Sequence, residues 1–79
     1  MAKTTNKSTR VRTEQRIWGK IRYCQHIKGM SDNQLAQYMG VNARTLKEYD
    51  KDAKNVTLGK VDKFLIAINW TIDNLLELK

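Results

Sequence analysis

Proline is absent from this 79-residue chain, and cysteine and histidine occur once each. Without proline, no helix is interrupted by the one residue that cannot continue it. A single cysteine excludes an intramolecular disulfide, and without a Cys/His cluster at ligand spacing no structural metal is expected. Glycine stands at only four positions, none of them in a phosphate-cradling loop. No apolar run approaches the ~20 residues that cross a bilayer, and the basic N-terminus is not followed by the hydrophobic stretch of a secretory signal. The expected setting is therefore cytoplasmic, with Cys24 a reduced thiol. No nucleophile, base and orienting group stand in a recognisable pattern, so neither an enzyme, a cofactor nor a small-molecule substrate is expected. His26, alone near a helix end, reads as a surface group or a partner of the helix dipole. Cys24 sits at a core spacing and reads as a small buried hydrophobe.

Acidic residues are also few, eight Asp/Glu against fifteen Lys/Arg, for a formal charge of +7. The excess is uneven. Lys3, Lys7, Arg10 and Arg12 place +4 within the first twelve residues, which hold no acid, and leave +3 for the remaining sixty-seven. Residues 1–12 are polar and without apolar periodicity, and read as a flexible basic arm on a domain over residues 13–79. Such a balance serves solubility and also favours a polyanionic partner. The length is near the lower limit for a self-sufficient core, so packed apolar side chains must supply it, or dimerisation must add to it.

Apolar residues recur at helical intervals after the arm. Ile17, Ile21 and Cys24, flanked by Trp18, predict one face of a helix from about Thr13 to Lys28, ended by Gly29. In "SDNQLAQYMG", Ser31 and Gln34 form a Ser-x-x-Gln capping-box pattern, Asp32 suits the helix dipole, and Leu35, Ala36 and Met39 point inward. Gly40 closes this helix and Asn42 caps the next, about Ala43 to Tyr49. "DKDAKNV" reads as a polar loop. Thr57 caps a fourth helix, about Leu58 to Ile68, with Leu58, Val61, Phe64, Leu65 and Ile68 inward, and Asn69 tolerates the left-handed stop. Thr71 caps a last helix with Ile72, Leu75 and Leu76. Trp18 and Trp70 are expected to pack. The expected fold is all-α and compact, with five helices and no strand.

Two short helices joined only by "GVN" have the helix-turn-helix layout. Gly40 permits a positive φ in the turn, Ala36 allows close approach, and Leu35, Met39, Val41, Leu46 and Tyr49 fix the crossing angle. The stretch "MSDNQLAQYMGVNARTLKEYDK" resembles the phage lambda repressor/Cro-like (XRE-type) helix-turn-helix family. Leu35-Ala36, Gly40-Val41, Thr45-Leu46 and Asp50 fall at matching positions without a gap, and the likeness continues through Leu58 into "AINWTIDNLL". It covers about Ile17 to Leu76. The resemblance implies a lambda-repressor-like DNA-binding domain whose third helix enters the major groove of double-stranded DNA.

Position by position, the resemblance assigns base contact to Ala43, Arg44, Lys47 and Glu48. The Arg44 fork suits both guanine acceptors, whereas an Arg44–Glu48 pair is its structural alternative. Ala43 offers a methyl to thymine or is simply a good helix former. Lys47 reaches base or phosphate, and Glu48 accepts from cytosine or excludes wrong sequences. Phosphate contact falls to Gln37, Asn42, Thr45, Lys51, Lys54 and Asn55. The arm follows the backbone, enters a minor groove, or serves solubility alone.

The chain also departs from the pattern. Asp32 stands where the family commonly has a phosphate-binding glutamine, Gln25 stands where an arginine pairs with the acid matching Asp50, and Asp52 and Val56 replace a usual glycine and proline. A neutral–ionic bond between Gln25 and Asp50 is the most these positions imply. The expectation is a transcriptional regulator, a small phage Cro-like or repressor protein, dimeric on a two-fold symmetric operator, with Ile66 marking the fourth and fifth helices as its interface. The rival is an anti-repressor or antitoxin-type module that binds a larger repressor or toxin, with little DNA binding of its own.

Overall fold

The computed structural model describes residues 12–78. The expected basic arm, apart from Arg12, lies outside the described residues. Five α-helices follow one another: α1 (Thr13–Lys28), α2 (Asp32–Met39), α3 (Ala43–Lys51), α4 (Leu58–Ile68) and α5 (Ile72–Leu76), with a 3-10 turn at Ala53–Asn55 between α3 and α4. The described residues contain no strand, and the fold is all-α as expected.

Local chemistry sets the helix ends. The Ser31 hydroxyl accepts the Gln34 N–H at 3.1 Å, and the Gln34 side-chain oxygen accepts the Ser31 N–H at 3.1 Å. Thr71 and Asn74 form a second reciprocal pair at the start of α5, at 3.2 and 2.8 Å. Asn42 and Thr57 cap α3 and α4 through the N–H groups of Thr45 and Lys60. Each such cap contributes about 1 kcal/mol. Three helices stop alike. Gly29, Gly40 and Asn69 take positive φ values of 69°, 75° and 60°, and the following N–H returns to an earlier carbonyl: Met30 to Gln25, Val41 to Ala36, Trp70 to Leu65. This left-handed stop satisfies carbonyls the helix leaves open.

The core draws on every helix: Ile21 and Cys24 from α1, Leu35, Ala36 and Met39 from α2, Leu46 and Tyr49 from α3, Phe64 and its neighbours from α4, and Leu75 from α5. Three expectations need correction, and α5 adds an observation of its own. Trp18 is fully inside the core while Ile17 is only half-buried, so the α1 stripe is turned by one residue toward α3. Leu58 is exposed, because as the first residue of α4 its side chain leans back over the preceding turn, beyond the packed layer. Of the three apolar residues on α5 only Leu75 is buried. The polar stretch after Tyr49 is not an open loop: α3 continues to Lys51, and the 3-10 turn folds Ala53 and then Val56 into the core.

Candidate nucleic-acid interface

The two-sidedness of α3 follows from its sequence. Leu46 and Tyr49 lie one turn apart on its back and are buried, while Arg44, Lys47, Glu48 and Lys51 are exposed. Asn42 and Thr45 stand at its N-terminal end, where the Asn42 side-chain oxygen accepts both the Thr45 N–H and the Thr45 hydroxyl at 3.0 Å. Any phosphate meeting Asn42 would therefore meet its amide NH2. Lys54 and Asn55 project from the 3-10 turn beyond the other end, and Gln37 is exposed on α2. Ala43 is half-buried against the core, which leaves less of its methyl for a partner. Both ion pairs among the described residues belong to Arg22, so Arg44 and Glu48 are not joined to each other.

Three groups on α1 tie down the C-terminal end of α3. The Trp18 indole N–H donates to Asp50 Oδ1 at 2.8 Å. The Arg22 fork takes the same carboxylate two-handed, Nε to Oδ1 at 3.0 Å and Nη2 to Oδ2 at 2.8 Å. Gln15 accepts the N–H of Ala53 at 3.1 Å, which fixes the exit from α3. Aromatic contacts reinforce the seat: Trp18 meets Tyr49 edge to face at 5.1 Å, and the Arg22 guanidinium makes a cation–π contact 5.2 Å from the centre of the Trp18 ring. Charge-assisted, bidentate pairing of this kind fixes orientation as well as adding energy.

The same guanidinium also holds the start of α2. Arg22 Nη1 donates to Asp32 Oδ1 at 2.8 Å and to Gln25 Oε1 at 2.7 Å, while Gln25 Nε2 donates to Asp32 Oδ1 at 2.7 Å. The expected Gln25–Asp50 bond is thus not made, and Gln25 bonds Asp32 and the Met30 carbonyl instead. The arginine–acid pair exists nonetheless, supplied one helical turn earlier. Hydrogen bonding from Arg22, helped by Trp18, holds the Asp50 carboxyl below its ordinary value. The Asp32 carboxyl is lowered by Gln25 first and then Arg22, with a smaller pull from Lys47 on the α3 front. Asp50, ahead of Asp32, raises Arg22 in turn. Arg22, Gln15 and Trp18 in this role were missed by sequence reasoning. The available signal was the spacing of Trp18 and Arg22, four residues apart at the edge of the α1 face.

Gly40, with its φ of +75°, also has a flexible neighbour. The Lys63 side chain of α4 crosses the turn, its Nζ 3.1 Å from where a glycine-replacing Cβ would stand. A helix pair with a three-residue connection, a buried back and an exposed, mostly basic front is the arrangement a groove-reading element needs.

The family model for the Cro/C1-type HTH DNA-binding domain matches residues 20–79. The chain belongs to this family. Searches among curated proteins and among solved structures give no match. As a Cro/C1-type domain it is a DNA-binding regulator by family, and the α2–α3 pair lies wholly within the matched segment. Among the described residues of this Cro/C1-type domain, no helix is long and apolar enough to cross a membrane, and no three His, Cys, Asp or Glu side chains are gathered as metal ligands.

Proposed function

We propose that the protein binds double-stranded DNA sequence-specifically through α3 and regulates transcription, in the manner of a small phage Cro or repressor protein, from the cytoplasm. One observation carries this reading: α3 presents Arg44, Lys47, Glu48 and Lys51 to solvent while Leu46, Tyr49 and the Asp50 bonds to Trp18 and Arg22 hold its back. Arg44 takes the two acceptors of a guanine, Lys47 and Glu48 read neighbouring positions, and Ala43 contributes its remaining apolar surface. Gln37, Asn42, Thr45, Lys51, Lys54 and Asn55 meet phosphates and set register. The basic segment, residues 1–12, adds counterion release along the backbone. Two copies occupy a two-fold symmetric site with half-sites about one helical turn apart.

Selection of bound duplexes from a random pool, followed by binding at several salt concentrations, tests the reading. The expected result is one enriched symmetric sequence and a steep loss of affinity with salt. A salt slope without enrichment would make the protein an architectural binder. Negligible DNA binding beside a tight protein partner would make it an anti-repressor or antitoxin-type module. Two readings of the sequence favour that rival, Asp32 in place of a phosphate-binding glutamine and the lack of an arginine at position 25 to pair with Asp50. Arg22 supplies the pair, so the rival rests on Asp32 alone.

A further inference from the structure

Arg22 is one cation between two carboxylates. It pairs with Asp50 at the end of α3 and with Asp32 at the start of α2, each at 2.8 Å, so the cluster is left with one net negative charge. The two acids are not equivalent. Asp50 takes the two-handed grip of the guanidinium together with the Trp18 N–H, and it seats α3. Asp32 receives a single Arg22 bond, and its other side-chain donor is Gln25, a buried neutral amide. A neutral donor fixes a carboxylate without cancelling its charge. The surplus therefore belongs to Asp32, whose side chain is 42% exposed. Its place is as telling as its charge. The Arg22 bonds run from the start of α2 to the end of α3, and Lys47 stands one turn before Asp50 on α3. Lys47 is also close enough to favour the ionised form of Asp32. The start of α2 thus borders the basic front of α3, and a duplex laid along that front brings phosphates over Asp32.

We propose that Asp32 is a built-in brake on DNA binding: its fixed carboxylate repels the phosphate backbone beside the α3 front and lowers affinity for every duplex alike. This names a control on the affinity of the proposed function and rests on that reading. Phosphates carry no base identity, so the repulsion weakens binding without choosing a sequence. Exposed Arg44, Lys47, Lys51 and Lys54 attract any polyanion. One like charge at their edge opposes that attraction at close range, and the bonds from Arg22 and Gln25 keep it from turning away. Glu48, the acid on the front itself, makes neither of these bonds and faces bases rather than backbone in the proposed reading. An acid in the first turn of a helix is ordinary by itself, and α5 has one too, Asp73. Asp73 stands on a helix whose neighbour is α1, and it supplies the matched control.

Duplex binding by the full chain, by Asp32→Asn and by Asp73→Asn over a series of salt concentrations tests the proposal. Asparagine keeps a side-chain oxygen for Arg22 and Gln25, and urea unfolding checks that the variant is folded. Asp32→Asn is expected to bind selected and random duplexes about three- to tenfold more tightly at low salt, with the gain shrinking as salt rises. Asp73→Asn, with the same change in net charge, is expected to alter binding less than about twofold. A second measurement needs no variant. Duplexes carrying one neutral methylphosphonate at successive backbone positions are expected to bind the natural chain more tightly at one position in each half-site, and more weakly at the phosphates met by Lys51 and Lys54. That local gain is expected to vanish with Asp32→Asn. A loss of affinity in Asp32→Asn, the result expected if Asp32 only steadies Arg22, would overturn the proposal. So would an unchanged affinity, an equal gain from Asp73→Asn, or the lack of any position where neutralisation tightens binding. If neither the natural chain nor Asp32→Asn binds a duplex at low salt, the DNA reading fails with the brake, whereas binding without the gain sinks the brake alone.

Discussion

The helices α3 and α5 begin in the same way and end up in different situations. Each follows a left-handed stop, Gly40 or Asn69, and each is capped by a side-chain oxygen, Asn42 or Thr71. Thereafter α3 buries Leu46 and Tyr49, and α1 grips its end through Asp50. Its exposed side is charged. By contrast α5 buries Leu75 alone and leaves Ile72 and Leu76 in solvent. Caps and stops determine where a short helix starts, but long-range bonds determine where it sits. A helix held from within can display a polar face, whereas one held by a single side chain leaves apolar surface for another molecule to cover.

The largest expected difference is in core truncation. Leu46→Ala is expected to destabilise the fold by about 2–5 kcal/mol, since it opens a cavity under α3. Leu76→Ala, half in solvent, is expected to cost less than about 1 kcal/mol in the monomer. Urea unfolding of dilute chain compares the two, and equal losses would break the distinction. Next comes the display face. Arg44→Ala is expected to cost about 1–3 kcal/mol at one base-pair position, while Lys54→Ala weakens all sequences alike and flattens the salt slope by about one unit. Equal loss on every sequence from Arg44→Ala would reduce it to a phosphate contact.

The two stops are also expected to respond unequally. Gly40→Ala forces a side chain into the left-handed region, at about 1–2 kcal/mol, and the flexible Lys63 ammonium moves aside at little further cost. Asn69→Gly keeps the conformation and is expected to change stability by less than about 1 kcal/mol. Thermal unfolding of both variants checks the pair. The smallest effect is with acid. Asp32 and Asp50 have folded-state values below the ordinary 3.8, so the stability they contribute is fully present above 3.8 and is lost as pH falls through the depressed values. Urea midpoints measured from about pH 6 to about pH 2.5 are expected to drop less for Arg22→Met than for the natural chain.

What the sequence made legible was local. The capping box of Ser31 and Gln34, the caps at Asn42 and Thr57, and the stops at Gly29, Gly40 and Asn69 all act within a few residues, and the helices fall where those signals put them. The α3 front is legible too, because Leu46 and Tyr49 fix its back by periodicity. Arg22 was not. Its bonds reach 10 and 28 residues along the chain, and the one local hint, its place four residues after Trp18, does not separate an arginine that bridges two helices from one in solvent. Matching Gln25 to the family's arginine followed the alignment, while a helix face accepts the same function one turn away. The burial of Ala53 and Val56 was hidden for a related reason: a 3-10 turn held by Gln15 from α1 has no helical period of its own.

Trp18 lies between Tyr49 and Asp50, almost wholly enclosed, whereas Trp70 is half-covered with the Lys28 ammonium 4.9 Å from its ring centre. These are the two indoles of the chain, and they fall on opposite sides of the contrast between α3 and α5. The protein thus carries a native optical label beside each: the enclosed ring is expected to emit toward the blue for as long as α3 is seated, and the half-covered ring is expected to be open to quenchers near α5. Emission from single-tryptophan variants, Trp18→Phe and Trp70→Phe, follows the loosening of each helix separately without any attached dye.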